Sequence, residues 1–272
     1  MRRLIAILCA VVLCTVVAGC SSLPAFQGSG SSSEKPVLKI GYDDYEPYSY
    51  YDEDGLLTGV DYELAKEACE RMGYTPQFIE ISWDKKNELL ESGDIDCIWS
   101  CYSMTGRLAD YQWAGPYMKS YQAAVVRADS GITSIEQLKG KRIAVEATTK
   151  SEEAWVHRSD KAVPKAGEVL TFTTMAETVA AVRMGYTDAV SGHVGPMSSL
   201  VKNSNGTLAL LPEGFYRTRI GVAFSNNNAD KTLVDTLDQT LAAMLEDGTV
   251  ARVVENYGMD ASQVAEGVSS DD

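Results

Sequence analysis

The chain of 272 residues carries 24 Lys and Arg against 38 Asp and Glu, a formal net charge of -14. That acidity argues against nucleic acid as a partner, because a phosphate backbone is bound by a basic face. An apolar content of 45% is ample for the core of one large domain or of two lobes of ordinary size. The two histidines, His157 and His193, and the six cysteines show no metal-ligand spacing, and there is neither a nucleophile elbow nor a phosphate loop, so no metal or cofactor is expected.

The first element is a leader. Arg2 and Arg3 head an apolar run from Leu4 to Ala18, long enough for a signal-peptide core and shorter than the about 20 residues of a membrane span. The run ends in Val17-Ala18-Gly19-Cys20, which resembles the bacterial lipobox: the small residues fit a peptidase cleft, and the Cys20 thiol at a new N-terminus would take a diacylglycerol group. Residues 1–19 are therefore expected to be a signal peptide. Residues 20–36, rich in Ser, Gly and Pro, are expected to be a lipidated flexible tether. The protein would then be extracytoplasmic and lipid-anchored to the cell membrane; an ordinary secretory signal cut near the same place is the alternative.

Val37 to Tyr42 alternates like a strand. Asp61 reads as the cap of a helix whose stripe is Leu64, Ala65, Ala68, Cys69 and Met72, closed by Gly73. Thr75 to Ile81 is the next strand, Ser82 opens a helix through Leu89 and Leu90 to Gly93, and Ile95 to Trp99 is a short buried parallel strand. This β-α-β-α-β pattern restarts after Arg127. Ser134-Ile135-Glu136-Gln137 has the form of a capping box, Arg142 to Val145 and Val169 to Phe172 are strands, and Thr174-Met175-Ala176-Glu177 is a second box opening a helix to Gly185. Ile220 to Phe224 is a late strand, Leu233, Leu237, Leu241 and Leu245 mark an amphipathic helix, and an acidic tail over 261–272 is expected to be disordered. Cys69, Cys97 and Cys101 read as buried thiols rather than a disulfide.

The order and spacing of several segments resemble the extracytoplasmic solute-binding proteins of amino-acid ABC transporters, family 3. They are Leu38-Lys39-Ile40-Gly41 with Tyr45-Glu46-Pro47-Tyr48, Asp54-Gly55 with Gly59-Val60-Asp61, Ser82-Trp83-Asp84, Gly93-Asp94-Ile95-Asp96, Ser103-Met104-Thr105-Gly106-Arg107, Ala114-Gly115-Pro116-Tyr117, Leu138-Lys139-Gly140-Lys141 and Asp247-Gly248-Thr249. The resemblance implies an α/β, two-lobed periplasmic-binding-protein-like fold with two crossover hinge strands, placed here at Gln122 to Arg127 and Arg219 to Ser225. Lobe one would be 37–122 plus 225–260, and lobe two 127–219. It also implies a monomer that binds an amino acid or derivative and meets a transporter permease.

Within such a cleft, Arg107 offers a guanidinium fork for a carboxylate, following a strand end where α/β sheets place their ligands. Ser100 and Ser103 lie at the same exit, as ligand contacts or as turn residues. Tyr45 and Tyr48 resemble the family's aromatic wall, to which Tyr102 and Trp99 could add, and Asp43 stands where relatives place a carboxylate toward the ligand side chain. From the second lobe, Thr149, Lys150 and Ser151 precede a helix whose N-terminus can receive a carboxylate; the family usually has glycine at the place of Thr148. His193 falls where amino-acid binders place the aspartate that pairs with the α-ammonium. A histidine cannot supply that charge, which leaves Glu146 as its replacement or a solute without a free ammonium. A dehydratase-like enzyme using Glu146 and His193 as acid and base, or a sensory ligand-binding protein, are the alternatives. Replacing Cys20 with Ala is expected to release the protein from membranes, which fractionation checks; an unchanged membrane fraction would count against lipidation.

Overall fold

The computed structural model describes residues 35–265. The leader, Cys20, most of the tether and residues 266–272 of the tail lie outside the described residues. Strand β1 (Val37–Tyr42) is followed by a hairpin of β2 (Tyr50–Tyr51) and β3 (Leu57–Thr58), helix α1 (Val60–Met72), β4 (Thr75–Glu80), α2 (Lys86–Ser92) and β5 (Cys97–Ile98). Both β4 and β5 run parallel to β1, one on each side, as the β-α-β-α-β reading requires. Helix α1 buries Leu64, Ala65, Ala68 and Cys69 and stops at Gly73, whose φ of 76° is left-handed.

Asp61 is not the cap of this helix. Gly59 holds that position at φ 123°, where a Cβ would fall 2.2 Å from the Tyr48 carbonyl oxygen. Asp61 therefore sits one residue inside the helix and points into the core, where its carboxylate accepts from the Cys101 N–H at 2.6 Å and from the Tyr117 hydroxyl at 2.7 Å. Burial pushes its carboxyl up to about 6, against the opposing pull of those two donors.

The chain continues through β6 (Gln112–Arg127), β7 (Arg142–Glu146), α3 (Lys150–His157), β8 (Glu168–Phe172), α4 (Met175–Arg183), β9 (Ala189–His193) and α5 (Val194–Lys202). It ends with β10 (Leu208–Leu210), β11 (Phe215–Phe224), α6 (Lys231–Glu246) and α7 (Thr249–Asn256). Both expected capping boxes form, the first on a 3-10 turn at Ile135–Leu138 and the second on α4.

Strand order is β4-β1-β5-β11-β6-β9-β7-β8, with β10 also on β6. One end of this path is covered by α1, α6 and α7 over a core including Leu38, Leu64, Val222 and Leu237. The other end carries separate clusters around Ile143 and Trp155 and around Val190 and Met197. These are two α/β lobes, and β6 and β11 are the strands they share. The crossing lies earlier in β6 than expected. Gln122–Val126 already pair with β9 inside the second lobe, and Ile220–Phe224 pair with Gln112–Met118 inside the first, so the strands cross near Lys119–Tyr121 and Tyr216–Arg219. The apolar run Ala123–Val126 reflects burial within a lobe, not a free connection. Cys69, Cys97 and Cys101 are free buried thiols, as read.

The beginning of the expected tail is ordered. Ala261–Gln263 form a turn, Val264 bridges Met118, and the Ala265 N–H donates to the Tyr117 carbonyl, because this stretch covers the first lobe's core. Asp61→Ala would strip the acceptor from two buried donors, and we expect it to lower the unfolding free energy by about 2–4 kcal/mol; urea unfolding measures this, and an unchanged midpoint would show that the buried carboxylate is not a tie between helix and strand exit.

Candidate functional site

Strand ends from both lobes open into one shared cleft, and ten of the expected site residues line it. Asp43, Tyr45, Ser100, Tyr102, Ser103 and Arg107 come from the first lobe, and Glu146, Thr149, Lys150 and His193 from the second. Two expected residues are elsewhere. Tyr48 is fully buried behind Tyr45, its ring stacked at 6.3 Å between centroids in the first lobe's core. Ser151 faces β9, where its hydroxyl bonds Ser191 Oγ at 2.6 Å and staples α3 to the sheet. Trp99 also packs in the core against Tyr117, and the indole at the cleft is that of Trp83.

Arg107 and Lys86 are met from the opposite lobe, and Lys150 from its own. Arg107 lies over the Tyr102 ring at 4.9 Å, and its Nη2 crosses to the Thr148 carbonyl at 3.2 Å and to Glu153 Oε1 at 3.5 Å. Lys86 is buried and donates to Thr148 Oγ1 at 2.6 Å; desolvation, helped by the Arg107 charge, lowers its ammonium to about 8. Lys150 is neutralised within its own helix by both Glu153 oxygens, at 2.9 and 2.6 Å.

At the start of α3 the chain itself serves two of the backbone N–H groups. The Thr148 N–H donates to Glu152 Oε2 at 2.6 Å, and the Glu152 N–H to Thr149 Oγ1 at 3.2 Å, so the chain's own carboxylate and hydroxyl serve these positions. Thr148 itself adopts φ 59°, a left-handed conformation that glycine takes without cost and a β-branched residue does not.

Asp43 and Glu146 reach the same cleft from opposite lobes, and the nearness of two buried carboxyl groups favours a protonated Glu146. Desolvation raises both groups, Glu146 further than Asp43; Lys86 and the Met175 N–H pull Glu146 the other way, while Asp44 and Glu80 add to the rise at Asp43.

His193 is neutral, not an imidazolium. Burial and the Arg107 charge lower it to about 3, and its ring nitrogens bond Ser120 Oγ at 2.9 Å and Ser103 Oγ at 3.1 Å, one donating and one accepting. Its backbone N–H donates to Tyr45 Oη at 3.1 Å, a further link between lobes. The imidazole and Glu146 therefore have separate partners and form no acid-base pair.

Sequence reasoning missed Trp83, Cys101, Gln122, Met175, Ser191 and Gly192 as cleft residues. A signal existed for Gln122. It lies two residues after Ser120 on a strand, on the face that Ser120 presents to His193.

The raised acid pair sets a direction for stability against pH. A carboxyl held protonated in the folded state stabilises fully below its ordinary range, and that contribution is lost as pH rises toward the raised value. Glu146→Gln removes the titration, and we expect it to raise the melting temperature at pH 8 by about 3 °C or more, with the gain shrinking toward pH 4. Thermal unfolding at both pH values checks this, and a gain independent of pH would contradict a raised Glu146 carboxyl.

The chain is 29% identical over 261 residues to the L-cystine-binding protein TcyJ of Escherichia coli (strain K12), covering 93% of this chain and 95% of that protein. Its fold matches an ancestral arginine-binding protein bound to glutamine with a TM-score of 0.74 at 27% identity, over 83% of this chain and 99% of the other. It also matches the ancestral amino acid-binding protein AncCDT-1, a precursor of cyclohexadienyl dehydratase, with a TM-score of 0.72 at 29% identity, over 81% and 95%. The model of the bacterial extracellular solute-binding proteins, family 3, matches residues 38–260, and with the two-lobed fold and its central cleft this chain belongs to that family.

Proposed function

We propose that this protein captures a free amino acid or close derivative between its lobes outside the cytoplasm and presents it to the permease of an ABC importer. The observation that carries the reading is the polarity of one cleft: two buried carboxyl groups, Asp43 and Glu146, at one place and the Arg107 guanidinium at another. A zwitterion offers an ammonium to the first and a carboxylate to the second. The names of the relatives and structural neighbours, which refer to cystine, arginine and glutamine, support an α-amino acid.

In this reading Glu146, assisted by Asp43, takes the place of the aspartate that His193 has replaced. Arg107 turns from Thr148 and Glu153 to the carboxylate. Tyr45, Tyr102 and Trp83 enclose the rest of the solute, with Ser100, Ser103, Thr149 and Lys150 around it. The protein acts as a monomer, held to the cell membrane by lipid on Cys20. An enzyme reading has less support, since Glu146 and His193 are each tied to other partners.

A thermal-shift screen of amino acids, N-modified derivatives and short peptides tests the reading, because a ligand that binds only the folded form raises the melting temperature by mass action. A free amino acid is expected to stabilise the wild type and to lose most of that effect in Glu146→Gln. If only ligands without a free α-ammonium gave a shift, the solute would not be an ordinary amino acid. Arg107→Ala is expected to cost about 2–5 kcal/mol of binding free energy, by analogy with truncated buried charge pairs. Calorimetry measures it, unchanged affinity would remove Arg107 from the site, and recovery of the solute unaltered separates binder from enzyme.

A further inference from the structure

Gln122 is 1% exposed, lines the cleft, and has neither its Nε2 nor its Oε1 hydrogen-bonded among the described residues. Buried side-chain polar atoms are normally paired, and leaving one unpaired costs the desolvation of that atom. Here a whole primary amide is left so. The same wall holds two more unpartnered buried atoms, Trp83 Nε1 and Glu146 Oε1. The cleft therefore presents two free donors and two free acceptors.

The local geometry keeps Gln122 from satisfying itself. It faces His193 across the β6-β9 pairing, but both imidazole nitrogens are taken by Ser103 and Ser120. Ser191, another neighbour on the cleft wall, is engaged with Ser151 and with the Ala123 carbonyl. No hydrogen bond from the described residues reaches the amide, so its partner is a molecule the cleft receives, water or solute.

We infer that Gln122 selects the solute's side chain, and that this side chain carries both a hydrogen-bond donor and an acceptor. The inference rests on the amino-acid reading: there the ammonium goes to Glu146 and Asp43 and the carboxylate to Arg107, which leaves the Gln122 amide facing the remainder. A side-chain amide, an imidazole, or a second amino-acid head such as that of cystine fits this chemistry; an aliphatic or thioether side chain does not. A site built to hydrogen-bond a substrate group rejects an analogue lacking it far more strongly than an apolar pocket rejects one methylene, because its own polar atoms stay unpaired.

The test uses pairs of similar shape and opposite polarity: L-glutamine with L-methionine, L-asparagine with L-leucine, and L-cystine with the mixed disulfide of L-cysteine and 2-methylpropanethiol. Affinities are measured by calorimetry for the full chain and for Gln122→Met. The wild type is expected to favour the polar member of the pair it binds by about 10-fold or more, and Gln122→Met to reduce that ratio by about 10-fold, whichever member's affinity moves. A wild-type preference for the apolar member, or a ratio unchanged in the variant, overturns the role of Gln122. Should Gln122→Met fail to fold, Gln122→Leu also removes both donor and acceptor, and the same fall in ratio is required of it. If no member of any pair binds the wild type, the amino-acid reading fails first and takes this inference with it, an outcome recognisable without any variant.

Discussion

The removal of charged groups from water is the constraint on which this cleft depends. Asp43, Lys86, Arg107, Glu146 and Lys150 sit at or beside a space closed off by two lobes, and an isolated buried charge is too costly to keep. The chain meets the constraint in three ways. Lys86 and Arg107 reach across to Thr148, Lys150 is neutralised by Glu153 one helical turn away, and burial of the two facing carboxyl groups favours the protonated form of Glu146. His193 completes the pattern by staying neutral, since a cation there would face Arg107 in a dry site. With a neutral imidazole at this place, the acids that line the cleft are Asp43 and Glu146.

Backbone strain accompanies these devices. Cys101 and Thr148 both adopt left-handed φ, 47° and 59°, and each stands at a strand exit beside the cleft. Such conformations persist where the surroundings over-determine them. For Cys101 the tie is the Asp61 carboxylate on its N–H, and for Thr148 it is Glu152 on the N–H, Lys86 on the hydroxyl and Arg107 on the carbonyl. A glycine at 148 would hold the turn without strain but would offer Lys86 no hydroxyl. The strained threonine therefore matches the lysine it receives.

Much of the fold is legible in the sequence because period and capping agree along it. The strand over 37–42, the α1 stripe with Gly73 after it, and both capping boxes follow from local chemistry alone. Strand β9 and helix α5 do not, and packing gives the reason. A Cβ at Gly192 would come within 2.9 Å of Tyr45 Oη, and one at Gly195 within 3.1 Å of Tyr48 Cε2. Close approach of the tyrosine-bearing loop thus demands small residues that break the apolar periodicity by which those elements would be found. The candidate site was legible at Arg107 from a guanidinium fork after a strand end, and at Glu146 and His193 through the family resemblance. It was hidden where a side chain's role depends on which lobe receives its strand: Gln122 stood in a segment read as a connection, and Tyr48 in a loop whose tyrosines sequence alone cannot sort into wall and core.

The same contacts bear on closure. The lobes already touch through Ser103 and His193, through Tyr45 and the His193 N–H, and through Asn203 and Glu46 at 3.0 Å. A solute shifts an equilibrium between open and closed lobes only by its differential affinity for the two. Groups that the protein pairs for itself across the cleft contribute to closure whether or not a solute is bound, so they add little to that difference. The groups left unpaired on closure contribute most, because closing removes them from water and only the solute restores their hydrogen bonds. Selectivity and closure in this protein therefore converge on the same few atoms: the second oxygen of Glu146, the indole N–H of Trp83 and the amide of Gln122.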